Sequence, residues 1–297
     1  MFENLITEIT SSPLLMRQSA IQNVELLCMK IINGEKIELE QFPNIKYAGH
    51  ISSGSDYPEN PYDSFEENSI AVIPVIGNMF KYGYNVSDRY IPGIDDVANM
   101  IRYANGSKQI IGTILLINTP GGTTQSIIQM EDALRTRTKP SVAFIDGQCC
   151  SGGIYAASFC NRIVAANRMC EVGSVGTQMT MLDLTGLYAN MGIKKRTVRP
   201  PKSSFKNTEY EQALAGDDKR LIDESLTPFA EHFQNILKEN RPKLDLSVEG
   251  LLEGKIFYAF DGIHNGLVDQ ITNFEGAVRL LHSLHAENQS LYSYLKK

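Results

Sequence analysis

The stretch IIGTILLIN at 110–118 runs without a charge, is rich in β-branched side chains and stops abruptly at TPGG. A continuous apolar run of this kind suits a strand covered on both faces rather than one with a wet side. Strands covered on both faces belong to mainly parallel sheets flanked by helices, so this one segment already points to an α/β protein.

The surrounding sequence follows the same rhythm. SIAVIPVIG at 69–77 reads as a strand, and a helix near 93–105 carries Ile94, Val97, Ala98 and Ile101 on one face. After TPGG comes a helix near 123–137 with Ile127, Met130, Ala133 and Leu134 inward, then a strand, SVAFIDG, at 141–147. CCSGGIYAASFC opens another helix, NRIVAAN is a short strand and EVGSVGT a glycine-punctuated turn. TMLDLTGLYANMG reads as a helix ended by Gly192, and 209–240 as one long amphipathic helix. A final helix carries Val278, Leu280, Leu281 and Leu284. Strands alternating with helices imply a mainly parallel sheet. Ahead of this unit, residues 1 to about 35 have the spacing of a helix, through Leu14, Leu15, Ile21, Val24, Leu27 and Ile31, and 44–68 has the composition of a loop or linker.

Composition narrows the function. With 297 residues the chain is long enough for a large core, and a net charge of -6 gives no basic field for nucleic acid or anionic lipid. Five cysteines, Cys28, Cys149, Cys150, Cys160 and Cys170, have neither disulfide nor zinc-ligand spacing and read as reduced thiols of a cytoplasmic protein, peripheral at most. The N-terminus lacks the pattern of a secretory signal, and no apolar window is long enough to span a membrane. No metal site and no cofactor is expected.

Two glycine-rich turns follow predicted strands, TPGG at 119–122 and SGGIYAA at 151–157. Where a strand ends and a helix begins, unpaired backbone N–H groups face the crevice at the carboxyl edge of the sheet and stabilise negative charge. A serine there, Ser151, is exposed to a substrate, and the amide of Gly152 with one from Gly121 or Gly122 forms a candidate oxyanion hole. Ser-Gly-Gly is also an ordinary helix start with serine as N-cap. As a base for such a serine the histidines are poorly placed: His50 lies in the linker, His232 on the polar side of the long helix, and His264, His282 and His285 near the C-terminus. The alternative is a lysine in a dry site, where desolvation favours the neutral amine. Lys202 and Lys206 in RPPKSSFKN are the candidates, against the plainer reading of a solvated basic loop.

TPGG after an apolar strand, then DGQCCSGGIYAAS and NRIVAANRMCEVGSVGT, resembles the core of the signal peptide peptidase A (protease IV) family of Ser-Lys peptidases. GKIFYAFDGIHNGLVDQI is similar to that family's closing segment. The resemblance implies a Clp/crotonase-like α/β fold of repeated ββα units around a mainly parallel sheet, with a peptidase domain over 69–272. An N-terminal helical extension (1–43), a linker (44–68) and a C-terminal helix (273–297) complete the expected organisation. It further implies Ser151 as nucleophile and Lys206, 55 residues later, as base; SerSerPheLysAsn stands here in place of the typical Gly-x-x-Lys-Asp. Cys149 and Cys150 replace the small residues usual before the serine, which makes a thiol nucleophile a second option beside their reading as packing residues.

The implied partners are a polypeptide substrate and further copies of the chain in a ring-like homo-oligomer that completes the groove or brings in catalytic groups from a neighbour. The N-terminal segment with SSPLLM resembles the phage and prophage branch, which processes capsid proteins during head assembly, so phage capsid or scaffold proteins are also expected partners. Only about 25 residues follow the core, too few for the scaffold segment that branch often carries. The competing readings are a crotonase-like acyl-CoA enzyme, using the same oxyanion geometry without a serine nucleophile, and an inactive adaptor of the same fold.

Overall fold

The computed structural model describes residues 14–16, 20–22, 26, 29–30, 60–86, 89–181 and 183–295. In chain order the strands are β1 (Leu14–Met16), β2 (Ser69–Ile76), β3 (Tyr84–Val86), β4 (Arg89–Ile91), β5 (Ile110–Thr119), β6 (Gly121–Thr123), β7 (Ser141–Cys150), β8 (Arg162–Ala165), β9 (Glu171–Gly173), β10 (Ile256–Tyr258) and β11 (Gln270–Ile271). The helices that matter below are α1 (Ile94–Gly106), α2 (Thr124–Arg135), α3 (Gly152–Ser158), α4 (Thr185–Asn190), α5 (Thr208–Leu214), α6 (Thr227–Asn240), α7 (Ala259–Asn265) and α8 (Phe274–Leu295).

The apolar run is indeed central. β5 lies between β2 and β7, parallel to both, and β7 is in turn parallel to β8 and β9. β8 pairs with β11 in parallel, and among the described strands only β10 joins the main sheet antiparallel, at its edge. The fold is therefore mixed α/β with a mainly parallel sheet, as the alternation of patterns predicts. Successive side chains of β5 point to opposite faces. Leu115 and Ile117 enter the main core with Ile101, Met130 and Tyr155, while Ile114 meets Val142, Phe144, Val164 and Leu281 of α8. Apolar cover on both faces is why the run has no polar alternation.

β7 changes partners along its length. Val142–Ile145 pair with β8, whereas Gln148–Cys150 pair with β9. The switch falls at Gly147, whose φ of +125° suits glycine and whose missing Cβ leaves room for the Asn118 side chain. Asn118 Oδ1 in turn accepts from the Gln148 amide at 3.3 Å.

Several expectations are corrected. Leu14–Met16, read as helical, is a strand paired antiparallel with β6, because that long-range pairing overrides a local spacing that suits helix and strand alike. Ala20–Gln22 are helical; most of the remaining N-terminal helix and most of the linker, with His50 and Cys28, lie outside the described residues. Within 44–68, Pro61–Ser64 form a 3-10 turn that buries Tyr62 in the main core, so this part is no loose linker. The strand expected to end at 147 runs to Cys150, and the turn expected at EVGSVGT begins with β9. The helix expected over TMLDLTGLYANMG is only the short α4. The long helix is interrupted after α5 at Gly216 (φ +92°), resumes at Lys219–Leu221, and passes through a π turn at Ile222–Leu226 before α6.

Candidate active site

β7 ends at Cys150 and α3 begins at Gly152, leaving Ser151 to make the turn between them. Its φ of 54° with ψ of −116° lies in a region that side chains rarely adopt. The turn is fixed from both sides: the Ser151 amide donates to Gly173 O at 2.8 Å and its carbonyl accepts from the Tyr155 amide at 3.0 Å. Backbone held in this way stores about 1–3 kcal/mol and persists because the neighbouring structure over-determines it. Ser151→Gly is accordingly expected to raise stability by about 1 kcal/mol in thermal or urea denaturation. A stability loss would mean the serine is not strained.

The glycines of the two turns converge on this point. A Cβ placed on Gly152 would stand 3.5 Å from Gly122 N and 3.6 Å from Gly121 Cα, and one on Gly122 would overlap the Met79 carbonyl oxygen at 1.8 Å. Gly121 has a φ of +103°. Thus TPGG and SGG, 30 residues apart in sequence, form one backbone surface with glycine needed for close approach. The Gly121 amide donates to Thr119 Oγ1 at 3.1 Å, and Gly122, the second candidate oxyanion donor beside Gly152, faces Leu15 in the β1–β6 pair.

Ser151, although only 2% exposed, borders a cleft of 660 Å³. Its other walls come from Leu14, Met16, the stretch Ser174–Gln178, Ala230 and Gln234 of α6, and Leu252–Gly254 with Ile256. Glu253 is the one ionisable side chain among these lining residues. Sequence reasoning missed Ser174, Thr177 and Gln178 as cleft residues; the positive φ of Ser174, 56°, has no signature beyond the glycines around it.

Lys206 is not on this cleft. It lies between the 3-10 turn Pro201–Ser203 and α5, with its amide donating to Ser203 O at 3.1 Å and its carbonyl accepting from Arg199 Nε. Its side chain is exposed, as is that of Lys202. Arg199 also pairs with Glu211 at 2.7 Å, tying the loop to α5. The structure therefore brings Ser151, Gly121, Gly122 and Gly152 together and leaves Lys206 on the surface of the single chain.

The remaining candidates have structural surroundings. Cys149, Cys150, Cys160 and Cys170 are all buried, and burial pushes the Cys149 and Cys160 thiols up, away from the thiolate a nucleophile requires. His232 Nε2 is 3.1 Å from the Tyr155 hydroxyl and is absent from the cleft lining; that hydroxyl donates to Glu131. Burial alone would raise the Glu131 carboxyl, but hydrogen bonds from Tyr155 and Arg135 outweigh it and hold the carboxyl below its ordinary value. Among the described residues no group of His, Cys, Asp and Glu side chains is arranged to hold a metal ion, and no helix is long and apolar enough to cross a membrane.

A parallel α/β sheet with a strained serine at its carboxyl edge, beside convergent glycine amides, defines a site suited to acyl transfer. The pattern of peptidase family S49 matches residues 133–288, more than half of the sequence and inclusive of Ser151 and Lys206, and the chain belongs to this family. It is 25% identical over 225 residues to Protease 4 of Haemophilus influenzae, a match covering 75% of this chain and 36% of that protein. It is 24% identical over 245 residues to the putative protease MJ0651 of Methanocaldococcus jannaschii, covering 78% and 76% respectively. It is also 26% identical over 222 residues to the head-tail preconnector protein GP5 of Enterobacteria phage P21, covering 72% and 43%. The chain thus spans less than half the length of the Haemophilus and phage proteins. A solved structure of the 1510-N membrane-bound stomatin-specific protease with a substrate peptide superposes with a TM-score of 0.43 at 12% identity, covering 72% of this chain and 80% of that one.

Proposed function

We propose that this chain is a serine endopeptidase in which Ser151 is the nucleophile and Lys206 its base. The observation that carries the reading is the strained Ser151 turn beside the Gly122 and Gly152 backbone at the edge of the cleft. The Ser151 Oγ attacks the peptide carbonyl carbon while its proton passes to the neutral amine of Lys206. The resulting oxyanion accepts hydrogen bonds from the Gly122 and Gly152 amides. On collapse the C–N bond breaks, the leaving nitrogen takes the proton from Lys206, and water then hydrolyses the ester to restore Ser151.

Because Lys206 is exposed and no lysine is among the described residues lining the cleft, the base comes from a neighbouring copy in a homo-oligomer. The arm that carries it supports this: Leu187, Met191, Val198 and Phe205 are 53%, 64%, 74% and 73% exposed, a density of apolar side chains that suits an interface. Burial of an amine against the apolar walls of a partner's cleft favours its neutral form. The similarity to the phage P21 protein supports a setting in virion assembly, with capsid or scaffold polypeptide as substrate.

A fluorophosphonate probe is expected to label the parent protein at Ser151, with casein cut by the parent and left intact by Ser151→Ala. Failure of both labelling and cleavage would sink the peptidase reading. The second reading, an adaptor without activity, is favoured by the exposed Lys206 and would then take its place.

A further inference from the structure

β1 holds an unusual position. Leu14–Met16 lie between β6, the strand of the candidate oxyanion glycines, and Gln178 on the other side. Leu14 exchanges both of its backbone bonds with Gln178, donating at 2.8 Å and accepting at 3.1 Å, while Met16 O accepts from Gln178 Nε2 at 3.3 Å. Backbone groups alternate sides along a strand, so those of Leu15 turn towards its partner Gly122. The side chains of Leu14 and Met16 are 4% and 3% exposed and wall the cleft that Ser151 borders. They pack with Ala20, Ile21 and Phe80 in a small cluster separate from the main core, so withdrawing them leaves the main core intact.

We propose that Leu14–Met16 is an internal ligand occupying the slot meant for an extended peptide, and that the slot takes peptides with apolar side chains two residues apart. The inhibitory part of this proposal rests on the peptidase reading; occupancy of the slot does not. Strand addition uses main-chain bonds that any extended segment can make, with specificity left to the alternate side chains. A segment joined to the same chain competes at an effective concentration of roughly millimolar. Peptides from outside must displace it, and the protein is held in a closed state until they do.

The test uses a fluorescent peptide of sequence SSPLLMRQ, matching residues 11–18, and full-length Ser151→Ala protein. Adding Leu14→Asp and Met16→Asp places carboxylates where the slot is apolar and should expel the segment, tightening peptide binding at least about tenfold. Equal affinity with and without the two aspartates would overturn the proposal. A second readout avoids those substitutions: in Ser151→Ala protein saturated with peptide, the amides of residues 14–16 should exchange hydrogen about tenfold faster than without it. Unchanged exchange at saturation would likewise overturn it. In an otherwise parental background, the two aspartates should speed fluorophosphonate labelling of Ser151. Tighter peptide binding without any labelling would keep the slot and reject the peptidase; labelling at the parental rate would reject inhibition alone.

Discussion

Equal amounts of Ser151→Ala and Lys206→Ala protein, each inactive alone, are expected on mixing to recover about a quarter of the parent's casein cleavage. In the proposed head-to-tail ring, each cleft would take its serine from one protomer and its lysine from the next. Random exchange of subunits then sets an intact Ser151 beside an intact Lys206 in about one site in four. The expectation follows from two facts about the single chain: Ser151 borders the cleft, and Lys206 is exposed away from it. Lys202→Ala is expected to cleave normally, since the proposed base is Lys206 and the Lys202 side chain is exposed on the same loop. If the mixture stays inactive after subunit exchange while parent protein cleaves, the base is supplied within one chain. If Lys206→Ala is active and Lys202→Ala is not, the base is the other lysine.

The second large effect is on stability. Arg241, only 7% exposed, makes two bonds of 2.8 Å to the Asp269 carboxylate and further bonds to the Gly266 carbonyl. The same carboxylate accepts from the Ile163 amide at 2.7 Å, so one side chain joins the loop after α6, the start of β11 and the start of β8. Asp269→Ala leaves a buried guanidinium without its counter-charge, which costs about 3–5 kcal/mol when a buried pair is broken on one side. Replacing both residues, as Arg241→Met with Asp269→Leu, removes the unpaired charge and should restore much of that loss. Urea denaturation of the three proteins measures both. Equal loss in the single and paired variants would show that the charges are not what holds these elements together.

The parallel sheet was legible because its signals are local: the unbroken apolar run of β5 and the 3.6-residue spacing of Ile94, Val97, Ala98 and Ile101 on α1. The position of Ser151 at the carboxyl edge of the sheet was legible because its Ser-Gly-Gly directly follows a strand pattern, although the same motif is also an ordinary helix start. What was not legible depends on distant partners. Leu14 and Leu15 fit a helical spacing as well as a strand, and pairing with Gly121–Thr123, more than a hundred residues on, decides between them. Likewise Cys149 and Cys150 read as the start of a helix until β9 extends the strand beneath them. The walls at Ser174–Gln178 and Leu252–Gly254 follow from topology, and no spacing announces them. For Lys206, family resemblance supplies a place in the sequence, and within the single chain its exposed side chain is absent from the cleft lining.

The exchange of neighbours along β7 has a mechanical consequence. Its first half is clamped by β8 and its second by β9, with Gly147 as the joint, and Ser151 stands one residue past the end of the second clamp. Ser151 is thus the tip of a lever: strain entering through β9 or its edge partner β10 reaches the serine turn through the Gly173 carbonyl, while the rear of the strand stays anchored by β8. Contacts made on that outer edge by another molecule would tilt the Ser151 hydroxyl without disturbing the core beneath it.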